Sequence, residues 1–174
     1  NPVVYMIGVL LLFIAMTFDL IDGWFAARYY PHPQMAQLAD RILDKLNYSI
    51  IFPLVAVGCM WRLHYVLPDP KKAELLHAIL VLFLAITVLV RDNFAHFMRA
   101  IALRYDPELE YREFTRLRTI VAAPVGALLY AYAFYIPNGP PSVVYRWIAQ
   151  LGEAPLRTLF FIEIVFFIIN FASI

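Results

Sequence analysis

Charge is scarce in this chain. Asp, Glu, Lys and Arg make up 16% of its 174 residues, where a soluble domain carries about a quarter. Positive and negative groups nearly cancel, at 14 against 13. No basic tract occurs, so the electrostatic footprint of a nucleic-acid partner is missing. The sequence has one cysteine, Cys59, which excludes an intrachain disulfide and argues against zinc. Cys59 lies within an apolar run and reads as a small buried hydrophobe. Internal repeats and low-complexity tracts are also missing, so 1–174 reads as a single domain.

Apolar residues are what the chain has in excess: 63% of it, with a mean hydropathy of +0.70. They concentrate in five runs, 3–27, 46–61, 75–90, 120–136 and 159–172. Such runs predict an all-α, polytopic transmembrane bundle with five spans. Several runs are shorter than the ~20 residues a spanning helix needs. Each continues into polar residues, so the helices extend past the lipid or line a polar cavity. Pro53 and Pro124 fall inside spans, which membrane helices tolerate when neighbours satisfy the freed carbonyls. With alternating crossings, Arg28, Arg41, Lys45, Arg91, Arg99, Arg104, Arg112, Arg116 and Arg118 share one side. That richer side is predicted to be cytoplasmic. Residues 135–155, "YIPNGPPSVVYRWIAQLGEAP", fall on the other side as a turn followed by an interfacial helix.

Four aspartates flank one loop between two apolar runs: Asp19 and Asp22, then Asp40 and Asp44. Spacings of three and four put each pair on one helical face, with Cβ atoms about 5–6 Å apart. Like charges that close at a membrane boundary repel and are costly to desolvate. Divalent cations offset this, and hard oxygen donors suit one or two Mg²⁺ or Mn²⁺ ions. Paired ions in such a site clamp the attacking and leaving oxygens of a phosphoryl displacement. Gly23 and Ala26, beside the acids, leave room for a flat group near the backbone. Taken alone they equally suit close helix packing.

These residues resemble the CDP-alcohol phosphotransferase family, whose pattern is D-x2-D-G-x2-A-R-x8-G-x3-D-x3-D. Asp19, Asp22, Gly23, Ala26, Asp40 and Asp44 match it in frame, while Ala27 and Ala36 stand at its arginine and second glycine. "VRDNFAHFMR" (90–99) and "TRLRT" (115–119) look like segments of the phosphatidylglycerophosphate synthase and cardiolipin synthase branches. The resemblance implies a six-helix membrane enzyme, with a further helix ahead of Asn1. It implies transfer of a phosphatidyl group from CDP-diacylglycerol to an acceptor hydroxyl, expelling CMP. By carry-over, Asp19, Asp22, Asp40 and Asp44 hold the metal, Asp44 is the general base, and Gly23, Ala26 and Arg28 meet the CDP moiety. Dimers are common in the family, so a homodimer is implied too. The reading places the enzyme in a bacterial plasma membrane, its active site facing the cytoplasm.

Arg91 follows about 16 apolar residues and needs an anionic partner at that depth. The partner is either the phosphate of an acceptor such as glycerol 3-phosphate, held by a guanidinium fork, or an internal carboxylate, Asp92 or another of the aspartates. Arg99, Arg116 and Arg118 join Arg91 as acceptor-phosphate candidates, with His96 nearby; His32, His64 and His77 read as loop or interface residues. Arg116 and Arg118, two apart, point in different directions on a regular helix. Glu163, an acid inside the last run, reads as a helix–helix hydrogen bond. Inositol phosphate and phosphatidylglycerol remain open as acceptors. A relative that binds nucleotide lipid without turnover is motivated by Ala27 and Ala36. A cation transporter calls for acids spread through the membrane depth, whereas these cluster at one face.

Overall fold

The computed structural model describes residues 1–29, 48–67, 69–105 and 113–173. Within its helices, the side chains at 16, 19–29, 96, 99, 100, 102–105, 113–117 and 119 lie outside that description. The described residues form helices and contain no strand. They are α1 (Pro2–Tyr29), α2 (Tyr48–Val66), α3 (Lys72–Tyr105), α4 (Glu113–Ala133), α5 (Val143–Gly152) and α6 (Leu156–Ala172). An apolar run in lipid must satisfy its own peptide groups, and the α-helix does so within one segment. Polar side chains in these runs follow the same rule. Thr17 Oγ1 donates to the Phe13 carbonyl at 2.7 Å, Thr87 Oγ1 to Phe83 at 2.8 Å, and Asn93 Nδ2 to Leu89 at 2.9 Å. Pro124 sits inside α4 as expected. The last turn of α2 widens to a π-helix over Arg62–Val66. There Arg62 Nη1 donates at 2.8 Å to the Tyr132 carbonyl near the end of α4.

The main core is shared by α2, α3, α4 and α6. Phe52 stacks on Phe166 with ring centres 5.4 Å apart, and Val55, Val81, Leu84, Val88 and Leu129 close around them, fully buried. α1 packs on α4 and α5. Tyr5 Oη donates to the Ala131 carbonyl at 2.6 Å. A Cβ at Gly8 would come within 2.8 Å of the Tyr130 hydroxyl. Glycine here leaves room for the Tyr130 ring of α4 to lie against α1. The outward faces are apolar: Leu11 and Phe18 on α1, Phe83 and Val90 on α3, Phe161 and Ile168 on α6. Cys59 is buried as expected.

Among the described residues two helices, Tyr48–Val66 and the Lys72–Ala95 part of α3, are long and apolar enough to cross a bilayer. The pair α5 and α6, bent by 75°, makes a third if counted as one span. Five were expected. The described apolar stretches of α1 and α4, Pro2–Ala15 and Ile120–Ala133, fall short of the 18 residues a span needs, and α6 alone has 17. α5 is the short helix expected after the Pro/Gly turn. Ser142 caps it by accepting from the Tyr145 amide at 3.1 Å.

Buried polar contacts tie the elements together. His77 Nε2 on α3 lies 2.7 Å from Glu163 Oε1 on α6, both side chains almost wholly buried. The expected helix–helix role of Glu163 is therefore present. His77, expected in a loop or interface, instead lies in the core with its ring edge-on to Tyr132 and Phe160. In the connection after α4, Tyr135 Oη donates to Glu153 Oε1 at 2.5 Å. That carboxylate pushes the Tyr135 phenol up to about 12, with burial as the smaller cause. The Tyr145 hydroxyl closes the same connection by donating to the Ile136 carbonyl.

Two predictions follow from these contacts. His77→Leu should lower thermal stability in detergent by about 1–3 kcal/mol, because it strands a buried carboxyl, whereas His77→Leu with Glu163→Leu should recover most of the loss. A double change no better than the single one would show that the pair is not coupled. The Tyr135 bond should contribute its full stability below the phenol's ordinary value of 10.0 and lose it as pH rises through about 12. Glu153→Gln should move the Tyr135 phenolate absorbance transition towards 10, and an unmoved transition would contradict the assigned cause.

Candidate active site

Charge gathers at one end of the bundle, where α3 leaves its apolar stretch, α4 begins and α6 ends. Asp92 divides its carboxylate between two arginines. Oδ1 accepts from Arg91 Nη1 at 3.0 Å, and Oδ2 accepts from Arg118 Nη2 at 2.8 Å. The last turn of α6 supplies further acceptors. Asn170 Oδ1 takes Arg118 Nε at 2.9 Å, and the Ser173 carbonyl takes Arg91 Nη2 at 2.5 Å. The Tyr48 ring of α2 lies 5.3 Å from the Arg118 guanidinium carbon. Both arginines are 4% exposed, so neither charge is neutralised by bulk water. Asp92, Arg91 and Arg118 together leave one net positive charge. The negative end of the α6 dipole, carried by its terminal carbonyls, faces that charge.

The sequence-predicted residues distribute as follows. Arg91 and Arg118 come together on Asp92, which is the partner weighed for Arg91 beside a substrate phosphate. Arg118, of the Arg116/Arg118 pair, is buried; the side chains of Arg116, Arg99 and His96 lie outside the described residues. So do those of Asp19, Asp22, Gly23, Ala26 and Arg28, and Asp40 and Asp44 lie wholly outside them. α1 is continuous through Asp19 and Asp22, so their spacing of three is a helical one. α1 packs on α4, and Tyr5 near the start of α1 meets Ala131 near the end of α4.

Among the described residues, no three His, Cys, Asp or Glu side chains gather as a metal centre. A cavity of about 10 Å³ lies at the other end, lined by residues that include Cys59, Arg62, Glu74, His77 and Tyr132. It has room for one water-sized molecule and none for a nucleotide. Asn170 and Ser173 were not anticipated. The one signal in the sequence is an amide within "FFIINFAS", residues 166–173.

An all-α bundle whose described helices carry apolar outer faces is that of an integral membrane protein. The chain matches the CDP-alcohol phosphatidyltransferase family profile over residues 2–169, and it belongs to that family. It is accordingly a transferase of phospholipid biosynthesis that takes a phosphatidyl group from a CDP-alcohol. No curated protein and no solved structure matches it.

Asp92→Asn should destabilise the fold by about 3–5 kcal/mol, because it removes the charge of the carboxylate that two buried guanidiniums share. Thermal unfolding in detergent measures this, and a loss below about 1 kcal/mol would mean that water or another acid already neutralises them.

Proposed function

We propose that this protein transfers the phosphatidyl group of CDP-diacylglycerol to glycerol 3-phosphate and releases CMP. The observation that carries the reading is the buried Arg91–Asp92–Arg118 cluster. Two guanidiniums at a membrane boundary suit an acceptor bearing a phosphate better than a neutral alcohol. In this reading Arg91 and Arg118, with Arg99 and Arg116, hold the acceptor's phosphate. Asp19, Asp22, Asp40 and Asp44 hold one or two Mg²⁺ or Mn²⁺ ions. Neutralisation of the pyrophosphate charge is the chemistry such ions supply when bound. Gly23 and Ala26 admit the cytidine, and Arg28 meets its phosphates.

Asp44 takes the proton from the acceptor hydroxyl. The freed oxygen attacks the lipid-side phosphorus, a new P–O bond forms, and the bond to CMP breaks with CMP leaving as the anion. Little covalent work falls to the protein, so positioning and charge stabilisation dominate. The lysine and arginine distribution supports a site facing the cytoplasm, the family supports a homodimer, and "VRDNFAHFMR" supports the phosphatidylglycerophosphate synthase branch.

Purified protein given CDP-diacylglycerol, glycerol 3-phosphate and Mg²⁺ should release CMP, and chelation should stop it. Asp44→Asn should cut the rate by roughly 10²–10⁴-fold, the usual weight of a general base. Undiminished CMP release by that variant would defeat the mechanism. Ala27 and Ala36 favour a second reading, binding of nucleotide lipid without turnover. A silent wild type made active by Ala27→Arg with Ala36→Gly would establish it.

A further inference from the structure

We infer that Asn170, in the last turn of α6, is a positioning residue that aims Arg118 at the acceptor's phosphate. The inference rests on the phosphate-acceptor reading above. Asn170 is fully buried, in a helix whose neighbouring residues are phenylalanine and isoleucine. An amide is costly there unless both its ends are bonded. Both are. Nδ2 donates to the Phe166 carbonyl at 2.9 Å, which fixes the amide's orientation and turns Oδ1 towards Arg118 Nε.

The consequence for Arg118 lies in which donors are used. A guanidinium has five N–H donors in a rigid plane. Asn170 and Asp92 engage Nε and Nη2, which form one edge of that plane, and Tyr48 lies against the group. Among the described residues Nη1 has no hydrogen-bond partner. The guanidinium is therefore fixed on one edge and presents its other nitrogen to an incoming anion, an arrangement that pre-pays the ordering of a long side chain. The same turn of α6 is itself anchored. Ser173 Oγ donates to the Asn170 carbonyl at 2.8 Å, and the Ser173 carbonyl holds Arg91. Asn170 does not contact the CDP-lipid end of the reaction in this scheme. Its influence should fall on one substrate.

The test is steady-state kinetics of CMP release by the full chain in detergent–lipid micelles, varying glycerol 3-phosphate and CDP-diacylglycerol separately. Asn170→Leu keeps the volume and removes the oxygen. It should raise KM for glycerol 3-phosphate by about tenfold or more, the scale of a lost hydrogen bond to a charged group. KM for CDP-diacylglycerol and kcat at saturating acceptor should stay within about threefold. Asn170→Ala removes the oxygen without adding bulk and is read the same way should the leucine variant fail to fold. An unchanged acceptor KM in an active variant overturns the inference, as does an equal rise in both KM values, which marks a general structural tie. A wild type that releases no CMP with any phosphorylated alcohol overturns the reading beneath it instead.

Discussion

Asp92 answers two arginines with one carboxylate, each oxygen taking a separate guanidinium. Without it, the Arg118 guanidinium that α4 brings into an apolar bundle would lose its carboxylate partner, at a cost of several kcal/mol. Its position ties three helices at once, because the arginines come from α3 and α4 while their other acceptors, Asn170 and Ser173, come from α6. Sliding any of these helices by one turn, about 5.4 Å, would break at least two of the bonds. Neutralisation and helix register are thus solved by the same side chain.

Depth explains why this cluster stands where it does. From Lys72 to Arg91 is about 28 Å of helix, close to the ~30 Å thickness of a hydrocarbon core. From Pro2 to Asp19 is about 26 Å along α1, which packs on α4. Both Arg91 and the Asp19 position thus stand about one hydrocarbon thickness from the start of their helices.

The helices and their apolar faces were legible because the bilayer imposes one length and one backbone solution. The number of spans was less so. Apolar runs such as 120–136 continue helices whose remaining residues are polar, and the run alone does not show where lipid ends. Arg91 was legible as a residue in need of an anion, and Asp92 was in view as a candidate because it is adjacent in sequence. Asn170 was not: its partner is 52 residues away, and a lone amide in an apolar run has no spacing to reveal it. His77 likewise looked like any histidine near a helix start until α6 brought Glu163 against it.

α6 shows how orientation is set without water. Its composition is apolar nearly all round, so no contrast between wet and dry faces selects which side turns inward. Lipid tails and core side chains attract a phenylalanine about equally. The inward line is Leu159, Glu163, Phe166 and Asn170, all buried, and its two polar members break the tie. Glu163 engages α3 through His77, and Asn170 engages α4 through Arg118 one to two turns nearer the charged end. Each bond in a membrane is worth only about 1 kcal/mol, since the unpacked helix also finds partners. Two on one face, directed at different helices, suffice to fix rotation and register together, and the second delivers an acceptor to the arginine at the charged end.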